Sequence, residues 1–109
     1  MSTRSLIGIV EDGKVNAIFC HWDGYISHTG TMLTKFYNDL SSAKSLVQLG
    51  DIQSVKSTIG DIECIEGNRY APTPLDIQSY LSITEFGYLY IFRHDHWEVQ
   101  VFGKMEEII

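Results

Sequence analysis

A chain of 109 residues with 44% apolar side chains has room for one domain, 1–109, and not comfortably for two; at this size about two-thirds of the unfolded surface can be buried, so the core needs no metal or disulfide staple. The net charge of −6, with scattered Lys and Arg, argues against a broad nucleic-acid surface, although one Arg and a few backbone amides suffice to hold a phosphate locally. No apolar run approaches the ~20 residues that cross a bilayer, and MSTRSLIGIV lacks the charged-then-hydrophobic order of an export signal, so no membrane contact and reduced thiols at Cys20 and Cys64 are expected.

RSLIGIV and VNAIFCHW flank the Asp12-Gly13 turn signal and predict a β-hairpin. In its second strand Val15, Ala17, Phe19 and His21 share one face, and Asn16, Ile18, Cys20 and Trp22 the other. Both faces are largely apolar, so cover is expected on both sides, from helices and from another layer or subunit. DGYISHTG reads as a loop. TMLTKFYNDL has helical spacing with Thr29 or Thr31 as N-cap, and SSAKSLVQLGD predicts a second helix capped by Ser41 or Ser42 and stopped by Gly50.

Residues 51–73 mix turn signals with one short strand-like run. PLDIQSYLSI predicts a helix opening at Pro74. GYLYIFR and HWEVQVF predict a second hairpin joined through HDH, with KMEEII as a helical turn or loose tail. The expected fold is therefore α+β: an antiparallel sheet of about four strands from two hairpins, with two or three helices packed on one face. The aromatic face of Tyr88, Tyr90 and Phe92 suits a core, a base-stacking platform or a subunit interface. Apolar sheet surface in excess of what three short helices cover predicts a homo-oligomer.

The densest chemistry is CHWDGY, residues 20–25. Cys20 and His21 are adjacent on a strand and point to opposite faces, which disfavours shared metal ligation or a nucleophile–base pair. Asp23-Gly24 is a turn signal. Trp22 and Tyr25 suit either core packing or stacking on a purine. Thr3, Arg4 and Ser5 put two hydroxyls around a guanidinium, a set able to cup a phosphate or simply to begin an edge strand. With Gly13 at the hairpin turn, pairing brings Thr3–Ser5 beside His21–Asp23 as one corner. His94 and His96 could begin a metal site but lack further ligands at a recognisable spacing. Gly50, Gly60 and Gly67 make no phosphate loop, and no nucleophile elbow, zinc-protease signature or cofactor motif is present.

STRSLIGI, DGKV, IFCHWDGY, the Gly and Leu of GTML, the Tyr of KFY, LVQLGDI and the hairpin YLYIF–HWEV together resemble a group of small proteins carried by bacteriophages and prophages. The likeness covers most of residues 1–55 and, more loosely, 85–109; the middle departs from it. It implies a phage accessory protein acting in the host cytoplasm, and supplies no catalytic residues. By analogy with small phage proteins that assemble and enclose nucleotide immune signals, it implies a non-enzymatic counter-defence protein binding a cyclic ADP-ribose or cyclic dinucleotide type of ligand. Thr3, Arg4, Ser5, His21, Trp22, Asp23 and Tyr25 would then form the pocket. The alternatives are a hydrolase using histidines of CHWDGY and HDH as acid and base, and an inhibitor that blocks a host protein through its acidic surface.

Overall fold

A computed structural model describes residues 3–65, 73–101 and, as backbone, 104–107. Strands β1 (Ser5–Glu11) and β2 (Lys14–Cys20) form the expected hairpin. Asp12 and Gly13 at its tip both have positive φ, 52° and 75°, the backbone twist that a two-residue turn between right-twisted strands requires. A π-helical turn at Ile26–Gly30 leads directly into α1 (Thr31–Phe36), followed by α2 (Leu40–Val47). The chain then passes through β3 (Leu75–Asp76) and α3 (Ile77–Leu81) to β4 (Tyr88–Arg93), β5 (His96–Val101) and β6 (Lys104–Glu107).

The fold is α+β, with six strands in the order β3-β2-β1-β4-β5-β6. The expected antiparallel sheet of about four strands differs from it in one pairing and in its edges. β1 and β4 run parallel, with Ser5 opposite Tyr88 and Ile9 opposite Phe92. The intervening helices return the chain to the starting end of β1 before β4 begins, so β4 must run the same way. Residues 104–107, read as a helical turn or tail, pair with β5 as an edge strand, Lys104 opposite Val101.

Helices lie on both faces of the sheet, not on one. Ile7, Ile9, Ile18, Cys20, Tyr90, Phe92, Trp97 and Val99 meet Leu33, Tyr37, Ala43 and Leu46 of α1, α2 and their junction. Leu6, Val15, Ala17, Phe19, Leu89 and Ile91 on the reverse meet Tyr80 of α3 and Phe86. The bare apolar face from which self-association was expected is therefore covered by the chain itself. Tyr90 and Phe92 are core, and Tyr88 is half-buried. Gly8 makes room for α3: a Cβ there would stand 2.6 Å from Val15 Cγ1 and 3.2 Å from the Tyr80 ring. Tyr80 lies fully buried and donates its hydroxyl to the Tyr90 carbonyl at 2.6 Å.

The helix caps are not where the sequence reading put them: that of α2 lies earlier and that of α3 later. Asp39, not Ser41 or Ser42, caps α2 by accepting from the Ser42 amide at 2.8 Å, and Asp76 caps α3 through the Ser79 amide at 2.7 Å. A carboxylate at an N-cap also meets the positive helix end. Leu75–Asp76 first pairs with β2, which delays α3 beyond Pro74. Gly50, at φ 79°, follows α2 as expected. Thr29 caps nothing; α1 is preceded by helical Gly30 without a side-chain cap.

Candidate functional site

β2 does not stop hydrogen-bonding at Cys20. The segment after α2 continues the ladder: the His21 amide donates to the Ile52 carbonyl (3.1 Å) and the Trp22 amide to that of Gln53 (2.7 Å). Asp51 locks this junction. Its fully buried carboxylate accepts from the Phe19 amide at 2.9 Å, while the Ile52 amide returns a bond to the Phe19 carbonyl. A buried carboxylate without such donors would be expensive.

Beyond Trp22 the chain turns sharply. Asp23 adopts the left-handed conformation, φ 58°, which Asp tolerates better than most residues. Gly24 then donates to the Thr3 carbonyl at 2.8 Å and accepts the Tyr90 hydroxyl at 2.7 Å. A Cβ on Gly24 would stand 2.8 Å from Ser5 Cβ and 2.9 Å from the Thr3 carbonyl oxygen. The two backbone segments thus meet as the hairpin register predicts.

Their side chains, however, divide. Arg4 is exposed, with its guanidinium 5.4 Å from the centroid of the Phe86 ring, on the α3 side. Ser5 is fully buried beside Cys20 and is unavailable to a ligand. Its Oγ has no hydrogen-bond partner of good geometry among the described residues. Trp22 is 45% exposed and Tyr25 38%, two of the few large apolar side chains left in solvent. Neither cleft at Trp22 counts Thr3, Arg4, Ser5 or Tyr25 in its walls. The single pocket expected from Thr3, Arg4, Ser5, His21, Trp22, Asp23 and Tyr25 is therefore two separated groups. Strand alternation sends Arg4 and Ser5 to opposite faces, and of the set only His21, Trp22 and Asp23 line these clefts.

The indole of Trp22 is the common wall of two clefts. One, of about 420 Å³, is bounded by Phe19, His21, Trp22, Gln53 and Ile65. The other, of about 270 Å³, is bounded by Trp22, Asp23, Gln53, Ser54, Lys56 and Glu63. Trp22 is held in place: Nε1 donates to Gln53 Oε1 at 3.1 Å, and the His21 ring packs edge-on against it with centroids 4.6 Å apart.

Behind the second cleft lies a polar cluster. Asp23 accepts from Tyr25 Oη and Ser54 Oγ, both at 3.4 Å, and its backbone carbonyl accepts from Thr29 Oγ1 at 2.7 Å. His28 Nε2 stands 3.0 Å from the Val55 carbonyl and 3.4 Å from Ser54 Oγ. The residue types are those of a hydrolytic triad, but the wiring is not. A carbonyl can only accept, so Nε2 carries the proton and is no base toward Ser54. Ser54 instead donates to Asp23.

Gln53, Ser54 and Lys56 were missed by sequence reasoning, since they come from the ambiguous middle segment. Only the long-range pairing of Ile52 with Cys20 brings them to Trp22. Residues 66–72 of that segment lie outside the described residues. Burial pushes the Cys20 thiol up to about 11, opposed more weakly by nearby Ser5 and Thr29 hydroxyls, so Cys20 is a packed thiol at neutral pH. His94 and His96 sit at the hairpin tip beyond Arg93, whereas His21 follows the other end of the sheet. An acid–base pair built from CHWDGY and HDH is accordingly ruled out by topology. His96 Nδ1 is occupied locally, 2.9 Å from the His94 carbonyl. Among the described residues no group of three His, Cys, Asp or Glu side chains is arranged to hold a metal, and no helix is long and apolar enough to cross a membrane.

Comparison with protein-family models, curated proteins and solved structures returned no match.

Proposed function

We propose that this chain binds a small nucleotide-type ligand at Trp22 and stores it intact, in the manner of a phage counter-defence protein that withdraws an immune signal. The single observation that carries the reading is the exposed, immobilised indole between two clefts. Leaving nearly half of a large aromatic side chain in water forfeits about 1 kcal/mol of burial, and a fixed π-face is the surface on which a base stacks whatever its sequence. Gln53, Asp23 and Ser54 supply acceptors and donors for base or ribose edges, and Lys56 supplies a cation for phosphate. Arg4 and Ser5 are left out of this role. Both clefts are shallow, so full enclosure of a ligand falls to a second copy of the chain placed over Trp22.

Native mass spectrometry of the protein recovered from phage-infected cells tests the reading. Storage predicts a retained small molecule, released intact when the protein is heat-denatured, together with the subunit count of the loaded species. Fragments of the ligand indicate hydrolysis, and a protein that never retains or takes up a nucleotide defeats the proposal.

A further inference from the structure

A further cleft lies away from Trp22. It measures about 840 Å³ and lies between α3 with its following loop and the β4–β5 floor. α3 is only five residues long and stands over Gly8 and β2, so its shadow ends before β5. On this face β4 presents Leu89 and Arg93, and β5 presents Gln100. Gln100 Nε2 donates to the Leu81 carbonyl at 2.6 Å, tying floor to wall. Half-buried Leu81 and Ile83 give apolar walls over the buried Phe86 and Leu89, and Gln78, Ser82 and Thr84 a polar rim. The volume falls in the range of about 300–1,000 Å³ typical of small-molecule sites.

Arg93 gives the cleft its chemistry. Its Nε bonds Glu98 Oε1 at 2.5 Å, and both side chains are mostly buried, 23% and 18% exposed. That bond uses one nitrogen of the guanidinium fork. Its hydrogen bond to Glu98 runs through Nε, not through the two terminal nitrogens, and the group is held in orientation for an incoming oxyanion. Glu98 beside it and Glu85 in the cleft wall leave the free edge of one guanidinium as the anion contact, which suits a single oxyanion.

We propose that this cleft is a second ligand site, independent of Trp22, for a small monoanion with an aromatic or similarly apolar body. The apolar body packs on Leu81 and Ile83, and the terminal nitrogens of Arg93 hold the oxyanion.

Naphthoate is a suitable probe, with the neutral isostere naphthamide as its control, followed by amide chemical shifts of the full chain. Binding of naphthoate is expected to move the amides of Ser82–Leu89 and Gln100, and naphthamide to bind about tenfold more weakly for want of the charge-assisted bonds. Arg93→Gln is expected to bring naphthoate down to the naphthamide level. Thr84→Trp, which leaves the Arg93–Glu98 pair intact, is expected to abolish binding of both. Equal affinity of the two probes for the unaltered protein overturns the proposal, as do shifts gathered around Trp22. The two-probe comparison needs no variant, so the test stands even where Arg93→Gln fails to fold.

Discussion

The amide of Gly24 lies 2.8 Å from the Thr3 carbonyl, so the turn that follows β2 is sewn to the chain just ahead of β1. With Tyr90 Oη on the Gly24 carbonyl, this residue connects the first hairpin to the second. A methyl group at Gly24 collides with Ser5 and with Thr3 backbone. Gly24→Ala is therefore expected to destabilise the fold by about 1–3 kcal/mol, the usual cost of overpacking a tight site. Urea unfolding measures it; a loss under about 0.5 kcal/mol, within the range of an ordinary surface change, contradicts the close approach described here.

Asp51 makes a sharper comparison. Asp51→Ala leaves the buried Phe19 amide without its acceptor, which costs about 1–3 kcal/mol. Asp51→Asn keeps a carbonyl oxygen at the same place and is expected to lose less. Because Asp51 anchors Ile52 and Gln53, the alanine variant is also expected to free Trp22 and shift its fluorescence. If the two substitutions prove equally damaging, the acceptor role assigned to Asp51 is wrong.

The two cap carboxylates give a pH dependence with a definite sign. Backbone and side-chain hydrogen bonds from Ser42 hold Asp39 below the usual carboxylate range, and those from Ser79 do the same for Asp76. A carboxyl depressed in the folded state contributes stability above its unfolded pKa of about 3.9 and loses it as pH falls through the folded value. Thermal midpoints are expected to fall between roughly pH 4 and pH 2. Asp39→Asn combined with Asp76→Asn should flatten that decline; an unchanged slope would remove the caps from the explanation.

Thiol accessibility checks the packing around Ser5. Cys20 is fully buried and its thiol is raised to about 11, whereas Cys64 is exposed. A disulfide-exchange reagent at pH 8 is expected to label Cys64 quickly and Cys20 only after unfolding. Fast labelling of both contradicts a sealed interior at the start of β1.

These elements were not equally legible in the sequence. The first hairpin was readable because Asp12-Gly13 fixes both turn and register, and register alone put Thr3–Ser5 beside His21–Asp23. Alternation along β2 also assigned Phe19 and Cys20 to their proper faces. Side-chain destinations at the strand ends were not readable. Arg4 is drawn to Phe86, a residue 82 positions away in sequence whose place depends on α3 crossing Gly8. The parallel β1–β4 pairing had no local signature, since nothing in YLYIFR specifies its neighbour. Gln53 and Ser54 were hidden for the same reason: long-range backbone bonds between residues 51–53 and 19–22 bring them to the site. Asp39 and Asp76 carried a readable cap signal, each with Ser three residues later, that neighbouring serines and Pro74 obscured.

Trp22 fluorescence provides the most direct measurement, because Trp97 is fully buried with its Nε1 bonded to the Tyr37 carbonyl and serves as an internal reference. Titration with cyclic ADP-ribose and cyclic dinucleotides is expected to quench the Trp22 signal saturably for at least one of them, with no change in ligand mass. Trp22→Ala should abolish binding measured calorimetrically, while Arg4→Ala leaves it unchanged. Binding that survives Trp22→Ala but fails in Arg4→Ala would contradict the assignment of the site to the Trp22 wall.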